Sequence, residues 1–256
     1  MQQLKQTAKN VRKKIVKMSH HSKSAHLAPS LSCADILVAL YFHAMKEGDR
    51  FILSKGHGAM ALYAVLSEKG IIPESWLEGY SLNGGKLGEH PSPDIPGVEV
   101  ETGSLGHGLS VAAGAALARK IKGKTGREFV LLGDGECQEG SVWEAAAFAS
   151  HKRLNNLVAI IDRNKFQAID RCANVMNKRL YDEWQAFGWE VIEIDGNDLT
   201  ELSFWLEMGS HLRPRLILAN TIKGKGISFA ENNLEWHYRV PNKDELELAL
   251  QEIEQS

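Results

Sequence analysis

The run Phe129-Val130-Leu131-Leu132-Gly133-Asp134-Gly135, answered further along by Leu157-Val158-Ala159-Ile160-Ile161-Asp162-Arg163-Asn164, decides the fold. Each is a short apolar stretch that breaks off in small and polar residues. Apolar strands without polar alternation belong in a sheet covered on both faces, as parallel sheets are. Two further runs of this kind follow, Trp189–Ile194 and Leu216–Ile222, and helical segments at 140–152, 180–187 and 198–210 separate most of them. Strand–helix alternation at this spacing predicts an α/β domain with a mostly parallel sheet flanked by helices.

Outward from that core, a helix rich in small residues is predicted at about 106–120, with Gly106, Gly108, Ala112, Ala113, Gly114, Ala115, Ala116 and Ala118 suited to close packing on a sheet. Residues 79–108 are rich in Gly, Pro and Ser and read as a long ordered loop. Helices are predicted at 57–69, stopped by Gly70 and Pro73, and at 35–46, with Ser32 or Asp35 near its start. No acidic residue precedes Asp35, while Lys5, Lys9, Arg12, Lys13, Lys14, Lys17 and Lys23 are basic. That charge pattern is shared with organelle transit peptides. The apolar residues Leu4, Ala8, Val11, Ile15 and Met18 recur every three or four positions, however, and the basic residues are nearly all lysine. A docked first helix with a solvated basic face is the expectation. Lys243–Gln255 reads as an acidic amphipathic helix with Leu246, Leu250 and Ile253 on one side.

The 256 residues, 43% hydrophobic and 24% charged, describe a globular chain able to bury its own core. With no internal repeat, low-complexity segment or linker in view, residues 1–256 are predicted to form a single domain. A net charge of −2 gives no reason to expect a nucleic acid or an anionic membrane as partner. No apolar run approaches the ~20 residues of a membrane span. The three cysteines, Cys33, Cys137 and Cys172, are unpatterned, which argues for a reducing, cytoplasmic setting and against a zinc site.

Ligands of open parallel sheets sit beyond the carboxyl ends of the strands. The segment from Gly135 to Asn164 is long enough for one crossover helix and a return strand, so Asp134 and Asn164 are predicted to emerge at one edge of adjacent strands. A carboxylate, an amide oxygen and a nearby backbone carbonyl form a hard, oxygen-only site suited to Mg²⁺ or Ca²⁺. Mg²⁺ held by few protein ligands also holds phosphate oxygens. Gly133 and Gly135 would let the backbone approach a diphosphate, and the helix entered at Gly140 would offer amides. Gly-Asp-Gly alone is a common turn; the paired Asn164 after a second strand raises the functional reading above it.

This Gly133-Asp134-Gly135…Asn164 pair resembles the thiamine diphosphate signature of transketolases and related enzymes. Leu53-Ser54-Lys55-Gly56-His57-Gly58, then Thr102-Gly103-Ser104-Leu105-Gly106-His107-Gly108-Leu109-Ser110, then Leu132-Gly133-Asp134-Gly135 with Gln138-Glu139-Gly140, stand in the order of transketolase blocks. Trp236-His237 falls where that family has the last histidine of its amino half. The resemblance spans the whole chain and implies the diphosphate-binding fold, with thiamine diphosphate and Mg²⁺ or Ca²⁺ as cofactors. It covers the first of the three domains of a full transketolase. It therefore implies the amino-terminal subunit of a split transketolase, active with a pyrimidine-binding carboxyl-terminal subunit in an α2β2 assembly. That assembly would move a two-carbon ketol unit from a ketose phosphate donor to an aldose acceptor.

Residue by residue, the resemblance assigns the metal to the side chains of Asp134 and Asn164 and to the backbone carbonyl of Phe166. Gly103, Ser104, Leu105, Gly133, Gly135 and Glu136 would line the cofactor, with His57 and His237; plain packing is an equal reading for Leu105. His57 resembles the histidine near the diphosphate and the reacting carbon. His90 resembles the one that holds the donor's terminal hydroxyl, and His26 and His237 resemble a pair flanking the substrate channel. Glu139 and Glu144 would lie at the dimer interface near the partner's pyrimidine-activating glutamate, where buried acids can share protons; in isolation they read as a solvated face. His107 is a lesser candidate as a cofactor neighbour. His20, His21, His43, His151 and His211 match nothing and read as surface or packing. In this family thiamine diphosphate carries the carbanion chemistry, while histidines stabilise alkoxides and shuttle protons.

Four positions depart from the family, which commonly has glycine where Ala25, Ala28, Glu89 and Tyr238 stand. All lie in substrate-side blocks, so the resemblance implies retained chemistry with an altered donor or acceptor. Alanine at a position needing positive φ would reshape the loop around Ala25 and Ala28, and Tyr238 would narrow the channel. A transketolase-like subunit of a specialised pathway, moving a different two-carbon unit, is the alternative. A non-catalytic scaffold is a third reading, opposed by the intact Asp134, Asn164, His57 and His90. The alpha subunit of 2-oxo acid dehydrogenases shares only the Gly-Asp-Gly…Asn element.

Overall fold

The computed structural model describes residues 1–176, 179–209 and 212–255. Its sheet has five parallel strands: β1 (Arg50–Leu53), β2 (Glu128–Gly133), β3 (Leu157–Arg163), β4 (Glu190–Asp195) and β5 (Arg215–Asn220), in the order β1-β2-β3-β5-β4. The four predicted strands are present within two residues of their expected ends. β1 was not expected. Its apolar part is only Phe51–Leu53, too short to show any period, and pairing with β2 from Arg50↔Glu128 to Leu53↔Leu131 is what makes it a strand.

Side chains of β2, β3 and β5 alternate between two cores. Phe129, Leu131, Val158, Ile160, Ile217 and Ala219 face one layer, and Val130, Leu132, Ala159, Ile161, Leu216 and Leu218 the other. The first core is closed by α1 (Gln2–Ser22), α2 (Leu27–Ser32), α3 (Ala34–Ala39), α4 (Ala59–Glu68), α9 (Leu199–Glu207) and α10 (Lys243–Gln255). The second is closed by α5 (Gly108–Ile121), α6 (Gly140–His151) and α8 (Leu180–Ala186). A single-turn helix, α7 (Cys172–Val175), follows β3. Burial on both faces accounts for the apolar strand runs. The predicted loop at 79–108 has no regular element between Gly79 and Gly108.

Several expectations shift in detail. The helix predicted at 35–46 starts at Ala34 and ends in a π-helical turn over Leu40–Ala44. Neither candidate cap serves it: the Ser32 hydroxyl donates to Asp162 at 2.5 Å, and Asp35 accepts from Arg12 at 2.5 Å and from Asn197 at 2.9 Å. Helix α9 ends at Glu207, and Ser210, the last residue predicted for it, lies outside the described residues. The basic face of α1 is partly paired rather than wholly solvated. Lys13 is ion-paired with Glu254 of α10, and Lys14 lies 2.8 Å from Glu68 and 3.2 Å from Glu74. The acid-free start is thus complemented by acids that only tertiary packing brings near. Among the described residues no helix is long and apolar enough to cross a membrane.

Candidate functional site

Register places the first part of the site. Gly133 of β2 pairs with Asp162 of β3, so Asp134 and Asn164 emerge just past two neighbouring strand ends. Asp134 Oδ1 accepts from the Gly135 amide at 2.9 Å and Oδ2 from the Lys165 amide at 2.7 Å. Burial, with the nearby Asp162 charge, pushes the Asp134 carboxyl up to about 6. The Asn164 amide nitrogen donates to Ser32 Oγ at 3.3 Å and to Asp162 Oδ2 at 3.4 Å, which turns Oδ1 the other way, toward the Phe166 amide at 3.1 Å. Phe166 is buried and bridges to Arg171.

A Cβ on Gly135 would stand 2.8 Å from the Gln167 side chain, which would have to move to admit it. Gly133 is different: no atom comes nearer than 3.9 Å to its Cβ position. The backbone amides next to Asp134 belong to a 3-10 turn, Gly135–Gln138, and α6 begins at Gly140, where the helix was predicted to be entered. Among the described residues, buried Gln167 Nε2 meets no oxygen or nitrogen acceptor.

These residues fit a hard cation bridging to a diphosphate. Among the described residues no group of three or more His, Cys, Asp or Glu could hold a metal. One carboxylate, one oriented amide oxygen and one backbone carbonyl leave the rest of a Mg²⁺ shell to phosphate oxygens and water. Among the described residues no cationic side chain is bonded to the buried Asp134 carboxylate, and the Gln167 amide offers a donor beside it.

Beneath this pocket lies a polar network that the sequence reading missed. Asp162, fully buried, is ion-paired with the fully buried Lys55 and accepts from the hydroxyls of Ser32 and Thr221. Lys55 Nζ also donates to Pro29 O at 3.0 Å. Burial opposes the charge on Lys55, and the Asp162 carboxylate outweighs it, holding the ammonium above the ordinary lysine range. A carboxylate ending an apolar strand was the available signal for Asp162. Glu136 proves to be a positioning group. It is 2% exposed, and its oxygens accept from Ser54 Oγ, from the Gly106 amide at 2.8 Å and from the Gly133 amide at 3.0 Å. Both oxygens are thus engaged within this chain, clamping Gly106 and Gly133. Burial pushes its carboxyl up.

The histidines converge. The His26 ring centroid lies 5.8 Å from His57, 6.1 Å from His90 and 5.3 Å from His237, and His57 lies 5.9 Å from His237. His26 holds left-handed backbone, φ 71°, and its N–H donates to His237 O at 2.9 Å. The expected strain at Ala25 and Ala28 is absent, since neither has positive φ; the strained residue is His26 itself. His90 is held by Tyr63 Oη, which donates to its carbonyl at 3.1 Å, and a Cβ on Gly103 would stand 2.9 Å from its ring. Burial, then the Lys55 charge, holds His57 well below the usual histidine range. Burial, then Lys223, lowers His237 to about 3, and burial also lowers His26, with Glu89 pulling the other way.

Lys223 joins the two halves of the site. Its Nζ lies 3.0 Å from His237 Nδ1, donates to Gln167 O at 3.0 Å and sits 5.5 Å from the Phe166 ring. Burial, with the Lys55 charge, lowers it to about 8. Lys223 was missed, although its position just past β5 is the strand-end signal that found Asp134 and Asn164. Two departures from the family sit at the mouth. Glu89 Oε1 lies 3.3 Å from His26 Nδ1, and Tyr238, 61% exposed, packs its ring 4.7 Å from His237 and 6.0 Å from His26.

Glu139 and Glu144 do not join this cluster; both are exposed, with Glu139 against Gly106. Ser104 is exposed, Leu105 half-buried, and His107 exposed at the start of α5. Near them Val111, Gly114 and Phe148 present an open face. His21, His43 and His151 are surface residues, and His20 Nδ1 lies 2.8 Å from Pro241 O. His211 lies outside the described residues.

The family model for the transketolase thiamine diphosphate-binding domain matches residues 4–253. An apulose-4-phosphate transketolase subunit from Actinobacillus succinogenes is 44% identical, across 98% of this chain and 96% of that protein. The 6-deoxy-6-sulfo-D-fructose transketolase subunit SqwG of a Clostridium species is 41% identical, across 90% of this chain and 88% of that protein. The solved transketolase of Campylobacter jejuni superposes with a TM-score of 0.90 at 27% identity, covering 99% of this chain and 43% of that one. The chain thus spans less than half the length of that solved transketolase.

Proposed function

The chain belongs to the transketolase family through its thiamine diphosphate-binding domain, and from that premise we propose that it is the diphosphate-binding, amino-terminal subunit of a two-subunit transketolase. The observation that carries this is Lys223, which ties a strand-end oxygen pocket to a cluster of four histidines, one buried surface serving two tasks. In this reading residues 1–256 are one domain, and Mg²⁺ or Ca²⁺ is held by Asp134, Asn164 and the Phe166 carbonyl. Gly103, Ser104, Leu105, Gly133 and Gly135 line the cofactor, with His57 and His237. Bound thiamine diphosphate supplies the carbanion chemistry for transfer of a two-carbon ketol unit.

This chain's own residues bind, orient and move protons. His90 holds the donor's terminal hydroxyl, while His26, His57 and His237 take and return protons at substrate oxygens. Their burial keeps them neutral near pH 7, so each ring carries both an acceptor and a donor nitrogen. A ketose phosphate donor and an aldose acceptor are the proposed substrates. Glu89 and Tyr238 at the mouth favour, as a second reading, a specialised ketose. The partner is a pyrimidine-binding subunit in an α2β2 assembly, seated on the open face around Val111, Gly114 and Phe148 with Glu139 and Glu144 at its edge. A reducing cytoplasm suits the three free cysteines.

The test is reconstitution. The purified chain should show no two-carbon transfer alone, and transfer should appear on mixing with the pyrimidine-binding subunit, Mg²⁺ and thiamine diphosphate. Turnover by the lone chain, or none by the pair, overturns the reading. Glu144→Lys should weaken assembly in sedimentation while leaving the lone chain folded.

A further inference from the structure

The turn that carries Lys223, residues 221–226, has little of its own to hold it. Gly224 and Gly226 sit at positive φ, 79° and 93°, and glycine backbone gives up such a conformation as readily as it takes it. The Lys223 stem is long and flexible. Its ammonium is nevertheless buried and held between Gln167 O and His237 Nδ1, at 3.0 Å from each. Something outside the site must fix the backbone from which that arm is aimed.

Three side chains from three elements do so. Arg12 of α1, Asp35 of α3 and Asn197 of the turn between β4 and α9 meet on one carboxylate oxygen. Asp35 Oδ2 accepts from Arg12 Nη2 at 2.5 Å and from Asn197 Nδ2 at 2.9 Å. Each donor then reaches the Lys223 turn with another polar atom. Asn197 Oδ1 accepts from the Ile222 amide at 3.0 Å, one residue before Lys223. Arg12 Nε donates to the Lys225 carbonyl at 3.2 Å, two residues after it. The Arg12 stem also lies on the bare backbone of Gly226, where a Cβ would stand 3.1 Å from Arg12 Cδ. Arg12 and Asp35 are 7% and 4% exposed, so neither charge can turn to water instead. The side-chain bonds of all three run to one another and to this turn. We propose that Arg12, Asp35 and Asn197 are positioning residues that grip the turn on both sides of Lys223 and so hold its ammonium between the oxygen pocket and His237.

The inference rests on the transketolase reading for its kinetic readout and deepens it by extending the site to residues of α1 and α3. A grip lost on either side lets the backbone shift, and a shift of about 1 Å far from the chemistry can cost a factor of 100 in rate. The guanidinium of Arg12 spans two acceptors in a fixed fork. A lysine at this position has one nitrogen, which can pair with Asp35 without also serving the Lys225 carbonyl. Arg12→Lys therefore keeps the buried ion pair and removes the grip. Asn197→Ala removes the other grip at a half-buried residue and leaves the Arg12–Asp35 pair intact. In the reconstituted pair each substitution should lower kcat/KM for two-carbon transfer about 10-fold, with Tm kept within a few degrees of the wild type. In a Lys223→Met background neither should lower kcat/KM further, because the arm they aim is gone. A merely structural role would go on subtracting in that background.

NMR of the full chain with isotope-labelled histidines reads the Lys223–His237 contact without turnover. The His237 Nδ1 signal should move in Asn197→Ala and in Arg12→Lys toward its position in Lys223→Met. A His237 signal unmoved in both variants, or kinetic losses that add in full to that of Lys223→Met, overturns the inference. A wild-type pair that shows no two-carbon transfer, while the His237 signal moves as expected, overturns instead the functional reading beneath it.

Discussion

The oxygen pocket and the histidine mouth are neighbours, and they are built by different means. Asp134 and Asn164 sit at fixed offsets from the ends of two paired strands, and backbone amides hold their oxygens. The mouth is gathered from four separated segments: the turn before α2 with His26, the turn after β1 with His57, the glycine-rich loop with His90, and the short helix Leu234–His237. Strand ends hold what every cofactor-dependent turnover needs in one place. Loops hold what must suit a particular substrate, and loops tolerate change. Of the residues read as departures, Glu89 and Tyr238 stand at the mouth, against His26 and His237.

The sharpest way to break this contrast is to remove what lies beneath both parts. Asp162→Ala would strand the fully buried Lys55 ammonium without its carboxylate. Unfolding in urea should show a loss of about 3–5 kcal/mol. A loss below about 1 kcal/mol would mean the pair is not the foundation of the site.

Next come two substitutions that should separate the regions. Asp134→Ala in the reconstituted pair should weaken Mg²⁺-dependent thiamine diphosphate binding about 100-fold or more, since few ligands share the ion. His90→Ala should leave that affinity unchanged in calorimetry and lower kcat about 100-fold. If His90→Ala also releases the cofactor, the mouth and pocket are one unit and the comparison fails.

The smallest effect is a pH dependence of stability confined to the mouth. His237 titrates at about 3 in the folded chain, below the ordinary histidine value, because burial and Lys223 disfavour its charge. The unfolded chain therefore takes up a proton near pH 6.5 that the folded chain refuses. Stability is full above that pH and is lost as pH falls from about 6.5 toward 3. His57, lowered in the same direction, adds to the loss. Melting between pH 7 and pH 5 should show a drop in Tm that is a few degrees smaller in His237→Asn than in the wild type. An equal drop in both would mean His237 does not set this pH dependence.

Much of this architecture was legible in the residues. The runs 129–132 and 157–162 carry a local signal, apolar side chains on both faces of an extended backbone, and any chain with that signal needs a covered sheet. Asp134 and Asn164 inherit their meeting from strand pairing, so their offsets along the chain sufficed to place them. The four histidines were found by family resemblance, because nothing local about a histidine among glycines reveals what it will face. Only tertiary structure decided the rest. Lys55 and Asp162 lie far apart in sequence and become an ion pair when β1, β2 and β3 align. Glu136 clamps Gly106 and Gly133, a contact that only the fold creates. His26 and His237 are the same residue type, yet one meets a carboxylate and the other an ammonium. Strand and helix follow from near neighbours along the chain. Protonation and hydrogen-bond direction follow from burial and from charges brought in from other elements, and those exist only in the folded protein.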